Sequence, residues 1–313
     1  MINVGAVELW NSCFADSDRL LILGGSGWFG RTAHMMTKLP RDRIMSIGSH
    51  ERKIDIEGLS YSVTDYDFAA IAAFAPTVVL DFWFLTREKI ETHGEAAYCA
   101  NIQNMIDRTS DVVALPSVSR VVSVSSGASV SVDKNQESGG RASAYGVLKS
   151  RSEQVLTKAA ATLGFKLAIA RVYSVSGALV TRPQNYAFSN LALQALSGEI
   201  VIEARTPVRR RFVAVEDVLA VALSNLASTS NSFSSGGEKI EIGDLAGLFG
   251  EILGRDISIK REGYPSQGHQ DNYFSDDKTW GSSVEAAGFV PLTLREQAEN
   301  VLDFFSARKP PWL

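Results

Sequence analysis

Tyr145 and Lys149 stand four residues apart in a stretch of helical periodicity, so their side chains share one face, a turn apart. A phenol with a pKa of about 10 is a poor base at neutral pH. An ammonium held close to it favours the phenolate, as opposite charges do. Such a couple can exchange a proton with a substrate oxygen while hydride passes to or from a nicotinamide, and Lys149 can also bind ribose hydroxyls. A third group should hydrogen-bond the same oxygen. Ser125 and Ser126 supply it at the carboxyl end of the run Val121-Val122-Ser123-Val124, and Ser126 is the choice. Taken alone, Tyr-x-x-x-Lys occurs often by chance and reads as an ordinary helix start; its meaning comes from what accompanies it.

That companion is Gly24-Gly25-Ser26-Gly27-Trp28-Phe29-Gly30, which follows the apolar run Leu20-Leu21-Ile22-Leu23 and opens a helical pattern. The spacing suits a dinucleotide. Gly24 permits a tight turn, Gly27 lets the main chain approach a pyrophosphate, and Gly30 allows close helix–sheet packing. The positive end of the helix dipole then faces the anion. An acid near the end of the second strand would mark NAD, through the ribose hydroxyls. Here the chain reads Ile47-Gly48-Ser49-His50-Glu51-Arg52-Lys53. A small polar Ser49 with the cation Arg52 suits a 2′-phosphate, so the expected cofactor is NADP(H), with NAD(H) possible if Glu51 serves as the acid.

These groups need a frame that brings strand ends together. Short β-branched runs at 20–23, 43–47, 77–81, 120–124 and 166–170 alternate with helical patterns at 28–38, 66–74, 94–106 and 145–163. Runs apolar without alternation belong to a parallel sheet covered on both faces. The predicted fold is α/β: a Rossmann-type doubly wound parallel sheet over 20–177, preceded by an extension at 1–19 and followed by a smaller mixed α/β substrate lobe over 178–313. Trp10 and Phe14 suggest that the extension packs as a short helix. In the lobe, helices are expected at 185–196, 216–227, 244–253 and 294–305, strands at 200–203, 212–215 and 257–260, and a Ser/Gly-rich loop at 228–237.

Composition narrows the function. The 313 residues carry a formal charge of −4, with no basic excess to favour nucleic acid as a partner. Two cysteines, Cys13 and Cys99, exclude a disulfide scaffold and point to a reducing cytoplasm. No apolar run is long enough for a membrane span, and the acidic start is unlike a signal peptide. His34, His50, His93 and His269 are scattered without metal-ligand spacing and read mostly as surface residues, so no metal is expected. The absence of a Gly-x-Ser-x-Gly elbow disfavours a Ser–His–Asp hydrolase.

Together these motifs resemble the extended short-chain dehydrogenase/reductases, in the NAD(P)-dependent epimerase/dehydratase branch that works on nucleotide sugars. The similarity runs over nearly the whole length after residue 19. It is carried by the glycine turn, by Val124-Ser125-Ser126-Gly127-Ala128, and by Tyr145-Gly146-Val147-Leu148-Lys149 with Glu153. Further support comes from Asn101-Ile102-Gln103-Asn104, Arg171-Val172-Tyr173-Ser174-Val175-Ser176-Gly177 and Arg209-Arg210-Arg211-Phe212-Val213-Ala214-Val215-Glu216-Asp217-Val218. The resemblance implies Ser126, Tyr145 and Lys149 as catalytic residues. It places Gly24, Gly27, Trp28, Phe29, Gly30, Ser49, Arg52, Tyr145 and Lys149 on the cofactor. It also implies that Arg210 meets the diphosphate of a nucleotide sugar, with Asn185 and Tyr186 approaching the same ligand; a lobe salt bridge is the plain alternative for Arg210.

Departures from the pattern choose the reaction. The family's dehydratases follow the catalytic threonine with an Asp-Glu pair, and this chain has Gly127-Ala128 there, which speaks against dehydration. Hydride and proton exchange remains: reduction of a 4-keto sugar is the first expectation, and 4-epimerisation with retained NAD the alternative. A non-catalytic dinucleotide-binding regulator and a reductase of a small ketone or aldehyde are further readings. Asp81-Phe82-Trp83-Phe84 replaces the small residues of relatives, and Phe82 and Trp83 could line the sugar site or simply pack. Many relatives dimerise through two long helices; residues 94–106 and 144–163 suit that, so a homodimer is expected.

Overall fold

The computed structural model describes residues 2–130, 132, 143–227, 231–262 and 270–307. The chain forms two compact units. One comprises Glu8–Val172 and Leu219–Phe233; the other comprises the described parts of Met1–Val7, Tyr173–Val218 and Ser234–Leu313.

The first unit is built on a six-stranded sheet. Along the chain run β1 (Leu20–Leu23), β2 (Ile44–Ile47), β3 (Arg52–Ile56), β4 (Leu59–Val63), β5 (Val78–Asp81), β6 (Arg120–Ser126) and β7 (Lys166–Val172). The sheet order is Asn231–Ser234, β7, β6, β5, β1, β2. β2, β1, β5, β6 and β7 pair parallel in the registers Leu20↔Ile44, Leu20↔Val78, Val78↔Arg120 and Arg120↔Lys166. All four residues of β1 and of β5 are buried, which explains why these runs are apolar without alternation. Helices Trp28–Met36, Phe68–Phe74, Glu95–Val113 and Ala144–Leu163 form the crossovers. Leu21, Leu23, Val79, Val121, Leu167 and Ile169 make the core beneath them, together with Trp83, Leu156 and Phe165.

β3 and β4 are a hairpin that the apolar runs did not announce. Glu57 and Gly58 both have positive φ, 51° and 76°, as a two-residue turn with the right twist requires. Ile54, Ile56, Tyr61 and Val63 alternate with exposed residues, so only one face of the hairpin is buried. A parallel bridge from Ile47 to Thr64 joins the end of this hairpin to β2. The segment before β1 is helical over Val4–Ser12; Trp10 is buried, donates its indole N–H to Thr37 Oγ1 at 2.9 Å and meets Phe14 edge-on at 5.5 Å. Asp18 pairs with Arg120 at 2.5 Å and thereby anchors the segment to the start of β6.

In the second unit the strand Val208–Ala214 is central. It pairs antiparallel with Glu238–Glu241 and parallel with Ser174–Ser176 and Asp271–Tyr273. Helices Ala187–Ser197, Ile242–Leu253, Lys278–Ala287 and Leu294–Ala307 complete the unit, and Phe188 meets Phe212 and Phe249 edge-on at 5.1 and 5.4 Å. Part of the expected 228–237 loop is instead the edge strand Asn231–Ser234; residues 228–230 and His269 lie outside the described residues.

Candidate functional site

The glycine turn is pinned from below: the N–H groups of Gly24 and Gly25 both donate to Ile47 O, at 2.8 and 3.0 Å. Gly24 has φ +91°, and a Cβ there would lie 2.8 Å from the Phe82 backbone. A Cβ on Gly30 would come within 2.4 Å of Gly24 O, so the helix can approach the turn only through glycine. Gly27 caps the Trp28–Met36 helix with no side-chain bond to the first-turn N–H groups. Those donors and the helix dipole suit an anion, so the turn fits the pyrophosphate of a dinucleotide. Trp28 is buried, whereas Phe29 is half-buried and packs on Phe82 with ring centroids 5.8 Å apart.

The hairpin braces this turn. Tyr61 donates its hydroxyl to Gly25 O at 3.0 Å and stacks on His34 at 3.5 Å. His34 Nε2 in turn shares a 2.6 Å hydrogen bond with Ser46 Oγ. Burial pushes the His34 imidazole down to about 3, with the Arg41 charge adding to the effect. His34 is thus a buried neutral group behind the turn, an exception to the surface placement expected for most of the histidines. Its position four after Gly30, on the same helix face, was the signal available. A Cβ on Gly48 would lie 3.6 Å from Ser26 Oγ, so the end of β2 borders the turn; Ser49 and Arg52 follow it and are exposed.

β5, β6 and the Ala144–Leu163 helix hold the remaining groups. Ser143 starts that helix as its N-cap, accepting from Gly146 N at 3.2 Å. Lys149 Nζ donates to Val124 O at 2.8 Å and lies 3.8 Å from the centroid of the Phe84 ring. The same ring meets Tyr145 edge-on at 5.7 Å, so one aromatic touches both members of the couple. Burial lowers the Lys149 ammonium to about 8, against the opposing charges of Asp81 and Glu153. Asp81, buried at the end of β5, accepts from Ser123 Oγ at 2.7 Å. Burial raises the Asp81 carboxyl, while Ser123 and Lys149 act to lower it.

The two serines at the end of β6 differ in their bonding. Ser125 donates to Glu153 Oε1 at 2.5 Å, and Glu153 also takes Ser129 Oγ at 2.6 Å and a two-pronged contact from Arg171 at 2.7 and 2.9 Å. Ser126 is buried, and its Oγ accepts from Ala128 N at 3.2 Å. Adjacent strand residues point to opposite faces, which separates their roles. Trp83 sits in the core and gives its indole N–H to Thr109 Oγ1 at 2.8 Å. It packs, whereas Phe82 lies beside the turn.

In the second unit, the three arginines alternate along their strand. Arg210 is held by Asp271, with Nη2 to Oδ2 at 2.7 Å. Arg211 pairs with Asp277 at 2.9 Å, and Arg209 bonds Gln270. Asn185 closes the Pro183–Asn185 turn and is exposed; Tyr186 follows as the cap of the Ala187–Ser197 helix. Among the described residues there is no group of three or more His, Cys, Asp or Glu able to hold a metal ion, and no helix is long and apolar enough to cross a membrane.

The fold is shared with solved structures that include nucleotide-sugar epimerases. The UDP-glucose 4-epimerase of Thermotoga maritima, solved with UDP-glucose, matches at TM-score 0.70 and 17% identity, over 92% of this chain and 99% of that one. The UDP-N-acetylglucosamine 4-epimerase of Methanobrevibacter ruminantium matches at TM-score 0.73 and 16% identity, over 93% and 98%. RMD of Pseudomonas aeruginosa, complexed with NADPH, matches at TM-score 0.66 and 16% identity, over 93% and 100%. No curated protein sequence is similar enough to this chain to count as a match. The profile of the NAD dependent epimerase/dehydratase family matches residues 20–243, well over half of the sequence, and the chain belongs to that family.

Proposed function

We propose that this chain is an NAD(P)-dependent oxidoreductase of a nucleotide-diphosphate sugar, reducing a 4-keto group with Tyr145 as proton donor. The observation that carries the reading is the Tyr145–Lys149 couple under the shared Phe84 ring, with Lys149 buried and held on Val124 O near the end of the strand that carries Ser126. When bound, a nicotinamide supplies the hydride; the chain's own residues do the rest. Ser126 positions the substrate oxygen and Tyr145 gives it a proton. Lys149 keeps the phenol's conjugate base accessible by its charge. Gly24, Gly27 and Gly30 hold the pyrophosphate, with Trp28 and Phe29 opening the helix behind it. Arg210 and Asn185 are proposed for the sugar nucleotide. NADP(H) is favoured over NAD(H) because Ser49 and Arg52, both exposed beyond β2, suit a 2′-phosphate.

A 4-epimerase with retained NAD is the second reading. It is favoured by the similar fold of epimerases such as that of Brucella ovis, solved in complex with NAD. Incubation with NADPH or NAD and a panel of UDP-, GDP-, dTDP- and CDP-sugars and their 4-keto forms separates the two. Stoichiometric loss of NADPH absorbance marks the reductase, and epimer formation without net coenzyme change marks the epimerase. Tyr145→Phe should lower either turnover by roughly 10²-fold or more while coenzyme affinity stays within a few fold. Undiminished turnover in that variant excludes the catalytic assignment. Coenzyme binding with no turnover on any sugar leaves the regulator reading.

A further inference from the structure

Arg210 is engaged by its own chain in the way a phosphate would engage it. Its Nη2 donates to Asp271 Oδ2 at 2.7 Å. Its Nη1 donates to Asp271 Oδ1 at 3.2 Å, to Asp271 O at 2.9 Å and to Arg209 O at 2.9 Å. Tyr273, next but one along the same strand, lies under the guanidinium at 5.8 Å. The two charged side chains differ in exposure: Arg210 is 18% exposed and Asp271 49%. The cation is therefore fixed within the unit by backbone acceptors, and the carboxylate faces water. An ion pair open to solvent is held weakly and exchanges easily. A diphosphate carries more charge than a carboxylate and offers the same paired oxygen geometry to guanidinium.

We propose that Asp271 is a specificity-determining residue: an internal anion that occupies Arg210 and yields only to a ligand carrying a diphosphate. The carboxylate keeps the guanidinium splayed for two-pronged contact, and it sets the charge a ligand must bring. A neutral or singly charged sugar does not displace it. The measured affinity of the proper ligand is reduced by the fraction of time for which Arg210 is occupied, as for any site that must first be released. This inference rests on the diphosphate role proposed for Arg210, and the test treats the two separately.

UDP, GDP and dTDP are titrated calorimetrically into the full chain. The tightest binder is carried through the variants, with its nucleoside as the uncharged control. Arg210→Ala should weaken the diphosphate about tenfold or more and leave the nucleoside unchanged. Asp271→Asn should tighten the diphosphate about fivefold, again without effect on the nucleoside. Asp276→Asn removes an exposed carboxylate five residues further along the chain, bonded to Lys278 N instead of Arg210, and should change neither affinity. Melting curves of each variant confirm that it is folded, and Asp271→Ala serves if the asparagine proves unstable. If Arg210→Ala changes nothing, or no nucleotide binds, the diphosphate role itself is lost and the inference with it. If Arg210→Ala weakens binding but Asp271→Asn weakens it too or leaves it unchanged, Asp271 is a scaffold and this inference alone is overturned. An equal gain from Asp276→Asn would reduce the effect to general charge and overturn it as well.

Discussion

Lys149 carries its charge where water scarcely reaches. Its ammonium keeps one carbonyl acceptor, Val124 O, and the face of Phe84 closes over it at 3.8 Å. Desolvation wins over the attraction of Asp81 and Glu153, and the result is a lysine lowered from 10.5 to about 8. Replacing the ring removes much of that shield. In Phe84→Leu the ammonium should regain water and titrate about one unit higher, followed by NMR of carbon-labelled lysine; an unmoved titration would show that other side chains exclude the water. Phe84 was legible only as one of three unusual aromatics after β5. Sequence order could not tell that Trp83 turns into the core while Phe84 turns onto the Tyr145–Lys149 couple, because that depends on what packs above each residue. The same holds for Ser125 and Ser126: their residue types are identical, and only the Glu153–Arg171 pair separates them.

Between elements, the glycine turn depends on a hairpin that alternates too briefly to announce itself. Arg52-Lys53-Ile54-Asp55-Ile56 has two buried residues among three exposed charged ones, and its turn is Glu57-Gly58 rather than the stronger Asn-Gly signal. The long apolar strands and the helix periods were readable, since burial on both faces leaves a continuous run. The brace was not, since Tyr61 gains its role only by crossing 36 positions to reach Gly25 O. Tyr61→Phe leaves that carbonyl without its buried donor and should destabilise the unit by about 1–2 kcal/mol. It should also weaken coenzyme binding several-fold in a titration. A variant with wild-type melting and affinity would remove the hairpin from any part in the turn. Gly30→Ala makes a sterner demand. Its Cβ would meet Gly24 O at 2.4 Å, so the helix must retreat and coenzyme binding should fall at least tenfold.

Across the whole chain, buried ionisable groups pull stability in opposite directions as pH changes. Glu216 and Asp217, buried in the second unit, are raised to about 7 and about 6, chiefly by burial; Asp217 adds to the effect on Glu216. Asn3 Nδ2 and Leu292 N each donate to Asp217 at 2.8 Å, but these bonds do not offset the desolvation. Folded pKa values above the unfolded ones mean stability that is complete below about pH 4 and lost as pH rises through 6 and 7. His34, in the first unit, is depressed to about 3, so that unit loses stability as pH falls from about 6.5. Through these two carboxyls the wild type should lose stability between pH 4 and 8 in melting curves, and Glu216→Gln should lessen that loss. An unchanged slope in that variant would assign the effect elsewhere. Homodimerisation through the Glu95–Val113 and Ala144–Leu163 helices belongs to the same scale as a proposal. Val147, 42% exposed on the second of them, is the residue to charge: Val147→Glu should convert a dimer to a monomer in light scattering.

The buried strands, the crossover helices, the glycine turn and the four-residue spacing of Tyr145 and Lys149 were readable along the chain itself. Each follows from residue type and a short period, and neither changes with distant packing. Folding alone decided which serine meets Glu153, which aromatic covers Lys149, that His34 lies buried and neutral, and that Asp271 grips Arg210. Those outcomes rest on contacts between residues far apart in sequence, where burial and neighbouring charge, rather than spacing, set the chemistry.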